Sequence, residues 1–147
     1  MPILLQPIGV IHTPFTDPAQ TPIQASRSIA LGHIEVFPEF VEGLQDIEEL
    51  SHLILLYVLH RQTNYALHVT PFLDDRVHGV FATRYPQRPN FIGLSIVHLL
   101  RRRDHVLEFV GADMLDGTPL IDIKPYVPEF DVRTDVRVGW YGTRSKP

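Results

Sequence analysis

Apolar and polar residues alternate along most of this chain with a period of two, the spacing of strands that bury one face. Gln6 to Thr13 is the first such stretch, with Ile8, Val10 and His12 on one face and Pro14 ending it. Ser28 to Val36 alternates into a second strand. Between them, Pro14 to Gln24 holds three prolines among small polar residues, which spells an ordered, irregular loop with Gln24 as its polar tip. Loops of that length in compact domains tend to be functional. After Pro38, the apolar residues Phe40, Leu44 and Ile47 recur at helical spacing within the acidic pattern Glu39, Glu42, Asp46, Glu48 and Glu49, predicting a short broken helix.

Ser51 to His60 (SHLILLYVLH) is a nearly unbroken apolar run of strand length, expected to be buried on both faces. Four further strands are predicted at Leu67 to Phe72, Val77 to Thr83, Ile92 to Leu100 and Val106 to Val110. They are separated by Asp74-Asp75, the Pro-rich loop Arg84 to Phe91, and a turn at Arg101 to Asp104. Six or more short strands without long helices predict an all-β fold. A closed antiparallel β-barrel with one or two short helices and long Pro-rich loops fits best, since closure removes exposed edges.

Composition narrows the chemistry. A chain of 147 residues with 44% hydrophobic and 20% charged residues is expected to form a single globular domain, 1–147. Thirteen prolines disfavour long helices. The absence of cysteine removes disulfides and thiol chemistry and accords with a reducing, cytoplasmic setting. No basic leader or long apolar window stands in the sequence, so a soluble, unexported protein with no membrane partner is expected. The net charge of -4 lacks a global basic field, so any RNA contact must come from a local patch.

Neither G-x-G-x-x-G nor a P-loop occurs, and the eight histidines have no metal-binding spacing, so no metal site is expected. Arg84 to Asn90 (RYPQRPN) is a loop stiffened by two prolines that presents two guanidiniums; it suits an anion clamp or a solvated hairpin loop. Asp116-Gly117 is a turn dipeptide whose backbone amides suit the edge of an adenine. Beyond it, alternation sets Asp122, Lys124 and Tyr126 on one strand face and Ile121 and Ile123 on the other, where Asp122 and Lys124 also fit a plain solvent-exposed pair. Arg101 to Arg103 reads as a solvated turn before it reads as a phosphate contact.

GVFATRYPQRPNFIGLS (Gly79 to Ser95) together with DMLDGTPLIDIKPY (Asp113 to Tyr126) resembles the TsaA-like, or TrmO-like, family of β-barrel methyltransferases. Ile8-Gly9, Pro14-Phe15, Pro22-x-Gln24, Glu42-Gly43-Leu44 and Ser51-His52-Leu53 extend the resemblance over nearly the whole chain. It implies an antiparallel barrel that forms a homodimer, binds S-adenosyl-L-methionine and methylates the N6 nitrogen of N6-threonylcarbamoyladenosine in tRNA. Carried over by motif position, the cofactor site comprises Pro22, Ile23, Gln24, His60, Arg61, Arg84, Leu94, Met114, Leu115, Asp116 and Gly117. In that site Arg84 suits the methionine carboxylate and Leu94 the adenine face. Asp122 and Tyr126 are the candidate catalytic groups, as acceptors of the proton that the nitrogen loses. Two departures stand out: Tyr85 and Phe91 stand where the family often has a small residue or proline, and the chain stops at Pro147, where the tRNA-modifying bacterial members carry a further C-terminal domain. Methylation of a small molecule and cofactor binding without catalysis are the alternative readings.

Overall fold

A computed structural model describes residues 1–147. Eight strands form: β1 Gly9–His12, β2 Leu31–Val36, β3 His52–Val58, β4 His68–Val69, β5 His78–Gly79, β6 Ile92–Arg103, β7 Val106–Val110 and β8 Thr118–Pro125. Six of them close a barrel in the order β1-β2-β7-β6-β3-β8, with β8 returning to pair with β1, and the pairs are antiparallel. The expected all-β closed barrel is therefore the observed fold. No helix is long and apolar enough to cross a membrane.

The chain divides into two compact units, Met1–Val58 with Gly93–Tyr126, and Leu59–Ile92 with Val127–Pro147. The first is the barrel. Its interior is filled by one alternating set from each strand: Ile11, Ile34, Leu53, Leu55, Leu107, Phe109 and Leu120 are all completely buried. Burying each such side chain contributes roughly 1.5–3 kcal/mol. A bulge between Leu56 and Tyr57 in the β3–β8 register passes over Ile121, so that Leu120 and Ile123 both stand opposite inward residues of β3.

The second unit holds β4 and β5, a separate two-stranded pair. The sequence predicted full strands at Leu67 to Phe72 and Val77 to Thr83; each reduces to two residues. Pro71 has no amide to extend the first, and Val80–Ala82 turns into a 3-10 helix. Other boundaries also move. The second strand starts at Leu31 because Ser28 Oγ bonds the Ala112 carbonyl and accepts the Ala30 amide. The acidic segment forms 3-10 turns at Pro38–Leu44 and Ile47–Glu49, broken where Asp46 takes a φ of 73°. The true α-helix is the single turn α1, Pro128–Asp131. Arg101 to Arg103 lie in β6, not in a turn; the hairpin to β7 turns at Asp104, whose φ is 56°.

Gly93 is where the barrel interior leaves room for the Tyr57 ring. A Cβ on Gly93 would stand 2.2 Å from Cε2 of Tyr57, whose ring occupies the space a side chain would need. We expect Gly93→Ala to lower stability by about 1–3 kcal/mol through overpacking. Chemical denaturation checks this, and an unchanged midpoint would show that the Tyr57 ring is free to move aside.

Candidate functional site

The segment after β7 is fastened on two sides. The Gly111 and Ala112 amides donate to the Ala30 carbonyl at 2.9 and 3.1 Å, and Ser28 Oγ donates to the Ala112 carbonyl at 2.6 Å. The turn Met114 to Gly117 then docks on the end of β1. Thr13 Oγ1 donates to the Met114 carbonyl at 2.8 Å, the Asp116 amide to Phe15 at 2.7 Å and the Gly117 amide to Ile11 at 2.9 Å. Gly117 sits at φ 82°, a conformation that glycine adopts without steric cost. The amides of Asp116 and Gly117, which the sequence assigned to an adenine edge, are thus spent on Phe15 and on Ile11 of β1. What the turn presents is the exposed carboxylate of Asp116 and the half-buried Leu115, while Met114 is buried beneath them.

Asp113 joins this turn to the loop carrying Gln24. Its Oδ1 accepts a 2.6 Å bond from Ser95 Oγ, and Ser95 Oγ in turn lies 2.7 Å from the Tyr57 hydroxyl. The Ala25 backbone also bonds the Asp113 carboxyl. Burial raises the Asp113 pKa to about 6, against the lowering effect of the bonds from Ser95, Ala25 and Tyr57. Tyr57 and Ser95 point into the barrel, so this chain of bonds crosses β3 and β6 and reaches Ala25, next to Gln24. Gln24 itself leads into the 3-10 turn Ala25–Arg27, its carbonyl accepting the Arg27 amide at 3.0 Å. Sequence reasoning passed over Asp113, Ser95 and Tyr57: period-two alternation marks 57 and 95 as inward, but nothing in it pairs them.

On the outside of the barrel, the β1–β2 register sets His12 opposite His33, and their rings stack with centroids 4.8 Å apart. His12 Nδ1 lies 3.3 Å from Asp116 Oδ1 and Nε2 lies 3.5 Å from Glu35 Oε2. His12, Thr13, Pro14, Leu31, His33 and Asp116 line an open cleft of about 390 Å³. Asp116 sets one carboxylate in the wall of this cleft, and Glu35 stands behind His12, so the cleft favours cations.

The remaining sequence-derived residues fall in several places. Within the barrel unit, Pro22 and Gln24 are half-buried and Ile23 exposed in the loop ahead of Ala25. Leu94 is exposed on the outer face of β6. The bond from the Leu99 amide to Ser51 and the stack of His52 on His98 put Leu94 beside Leu56 and Ile96 beside Ile54, an apolar stripe. Asp122 stands opposite Leu56 on that same outer face, ion-paired with Lys124 at 3.0 Å. Tyr126 follows the end of β8, its amide donating to His52 and its ring edge-on to the His52 ring. His60, Arg61 and Arg84 belong to the second unit and are exposed there. In the same unit Arg88 does not pair with Arg84 as a second anion-binding fork. Its Nη1 donates to the Thr83 and Tyr85 carbonyls at 2.9 and 3.0 Å, holding its own loop closed.

Comparison with known proteins adds a likeness over nearly the whole chain. The profile of the tRNA-methyltransferase O N-terminal domain matches residues 10–132. A Pyrococcus abyssi protein described as a probable S-adenosyl-L-methionine-binding protein is 57% identical over 139 residues, covering 94% of this chain and 76% of its own. A Mus musculus tRNA (adenine(37)-N6)-methyltransferase is 36% identical over 137 residues, covering 88% of this chain and 32% of its own. A crystal structure of TrmO from Pseudomonas aeruginosa superposes with a TM-score of 0.82 at 38% identity, covering 100% of this chain and 65% of that one. The chain therefore spans about a third of the mouse protein and slightly under two thirds of the solved one.

Asp113 gives the site a pH signature. Its folded pKa, raised to about 6, lies above the unfolded value near 4, so the fold holds its proton more tightly. Its contribution to stability is then full below pH 4, is lost as pH rises through 6, and is level above that. In Asp113→Asn this slope is absent, and the stability difference from wild type should change by on the order of 3 kcal/mol between pH 4 and 7. Denaturant unfolding at stepped pH measures it; parallel curves for the two proteins would rule the assignment out.

Proposed function

The chain belongs to the tRNA-methyltransferase O N-terminal domain family, and from that premise we propose that it binds S-adenosyl-L-methionine and methylates tRNA at the N6 nitrogen of an adenosine. The finer reading is that the acceptor is N6-threonylcarbamoyladenosine. The observation that carries the proposal is the match over residues 10–132, which takes in both the Gln24 loop and the Met114–Gly117 turn.

Taken unit by unit, the chemistry of these residues supports that reading. Asp116 sets an exposed carboxylate at the cleft of about 390 Å³, where a sulfonium or ammonium group is favoured. Leu94, with Leu56 and Ile96 beside it, offers an apolar outer surface suited to an aromatic base. Pro22, Ile23 and Gln24 form a loop held to the turn through Asp113 and Ala25. In the second unit, His60, Arg61 and Arg84 carry hydrogen-bond donors suited to a carboxylate, and Arg84 is the proposed partner of the methionine end.

When bound, the cofactor supplies an electrophilic methyl group on a cationic sulfur. The chain's own residues then have three tasks: to hold that group in line with the acceptor, to keep water away, and to receive a proton from the nitrogen. Asp122 is the proposed proton acceptor, and Lys124 is ion-paired with it. Tyr126 stands as the alternative, with its ring braced on His52. The apolar stripe of Ile54, Leu56, Leu94 and Ile96 is the proposed homodimer face, because closing a second copy over it would desolvate Leu94.

Calorimetry with S-adenosyl-L-methionine should give micromolar-range binding, weakened roughly tenfold or more in Arg84→Ala and Asp116→Ala, each of which loses about 1.4 kcal/mol or more of charge-assisted binding. Nucleoside mass spectrometry of tRNA incubated with protein and cofactor should show one added methyl on one modified adenosine. Binding without transfer to tRNA would turn the reading to a cofactor-binding module, and turnover without RNA to a small-molecule methyltransferase. No binding by the wild type overturns the reading.

A further inference from the structure

The two units carry opposite charge. The second unit, Leu59–Ile92 with Val127–Pro147, holds eight Lys and Arg against five Asp and Glu; the barrel unit holds the other five and twelve. The barrel's cations are mostly neutralised where they stand: Arg101 and Arg103 pair with Glu108, Arg102 with Glu48, and Lys124 with Asp122. The second unit differs. Arg76 pairs with Asp74. Arg133 and Arg144, however, donate to backbone carbonyls, which orients a guanidinium without cancelling its charge. Arg137 and Lys146 are exposed.

These cations share the unit with exposed rings. Phe72 is 57% and Phe81 74% exposed, and the Phe72 ring meets that of Tyr85 at 5.1 Å. The chain's last residues are fixed against this region. The Lys146 amide donates to the Leu73 carbonyl at 3.0 Å, setting Lys146 beside Phe72. The Ser145 amide donates to the buried Asp74 carboxylate at 3.1 Å. Trp140 Nε1 donates to the Ala82 carbonyl at 2.8 Å, next to Phe81, and its ring stacks on His78, whose Nε2 lies 2.8 Å from Asp74. The Asp74 carboxyl, held well below the ordinary carboxylate range chiefly by the His78 bond, is ionised at any physiological pH.

The result is a braced unit that carries exposed phenylalanine rings and cations together, with Lys146 set beside Phe72. Single exposed apolar residues are ordinary on protein surfaces. Exposed rings in the same unit as uncancelled positive charge, in the basic part of an otherwise acidic chain, match the chemistry of unpaired nucleotides: bases stack on the rings and phosphates meet the cations. A double helix buries its base faces and would use only the cations.

We propose that the second unit is the surface that takes the RNA, with Phe72 and Phe81 stacking unpaired bases and Arg137 and Lys146 contacting phosphates. The partner is a single-stranded loop segment of an RNA, and the assignment rests on the reading of the chain as a tRNA methyltransferase. None of these four residues belongs to the proposed cofactor site.

The test uses the full chain, a fluorescent RNA stem-loop and a fully paired RNA of equal length, with anisotropy read across a salt series. The wild type should bind the stem-loop at least tenfold more tightly than the duplex. Phe72→Ala with Phe81→Ala should remove that preference and weaken stem-loop binding tenfold or more. Arg137→Glu with Lys146→Glu should weaken both RNAs and lower the slope of log affinity against log salt by about 2, one for each phosphate that no longer meets a cation. Cofactor affinity by calorimetry should be unchanged in every variant, which also certifies that each is folded. Unaltered stem-loop affinity and salt slope in both double variants would overturn this surface while leaving methyl transfer by the wild type standing. Equal wild-type affinity for loop and duplex would overturn the stacking role. Failure of methyl transfer itself is read separately, in the nucleoside spectra of the wild type.

Discussion

The pairing of β8 with β1 is the contact on which the barrel unit depends. Gly9 opposite Leu120, Val10 opposite Pro119 and Ile11 opposite Thr118 turn an open six-stranded sheet into a ring without exposed edges. The same seam continues beyond the strands. Gly117 and Asp116 donate to the carbonyls of Ile11 and Phe15, so the turn that carries the exposed carboxylate is an extension of the closure. Opening the seam would release the barrel's edge and that turn together. Stability and site geometry are in this sense one set of hydrogen bonds.

Within the ring, volume is the second constraint. Tyr57 lies over Gly93, and its hydroxyl, too polar to bury alone, is satisfied by Ser95 and through it by Asp113. A phenol inside a barrel commits its neighbours: it calls for a residue without a side chain across the sheet and for a hydrogen-bond partner at its tip. Asp113 meets that need from a segment outside the strands and also bonds the Ala25 backbone. The interior packing thereby holds the Gln24 loop against the Met114–Gly117 turn. A carboxyl group whose ionisation is opposed by burial stands at their junction.

Much of the barrel was legible in alternation because each of its strands has one wet face. Ile34 and Val36 alternate with His33 and Glu35, and Val97 and Leu99 alternate with Ile96 and His98. Ser51 to His60 misled in one respect. It reads as buried on both faces, yet its second face, Ile54 and Leu56, joins Leu94 and Ile96 in an outer apolar stripe. The runs at Leu67 and Val77 have strand composition but belong to the second unit, where only His68–Val69 and His78–Gly79 pair. Composition does not say which strands a sheet will accept. The turn at Asp116-Gly117 was legible because its motif is local, but the partners of its amides, Phe15 and Ile11, were not. The site was illegible where partners lie far apart in sequence, as with Tyr57, Ser95 and Asp113, or His12 and Asp116, because no periodicity links positions across a barrel.

The division of charge bears on how such a chain would combine a cationic cofactor with an anionic substrate. An acidic barrel surface near Asp116 and Glu35 favours a sulfonium and repels phosphate; a basic second unit does the reverse. A single surface of either sign would help one reactant at the expense of the other. Methyl transfer also consumes the positive charge on sulfur, so carboxylates bearing directly on the sulfonium would stabilise the ground state more than the transition state. In the proposed site the exposure of Asp116 would lower that cost, because solvent screens its charge. In that proposed arrangement the rate would come from alignment, and the β1–β8 seam is what fixes the Asp116 turn against Ile11 and Phe15.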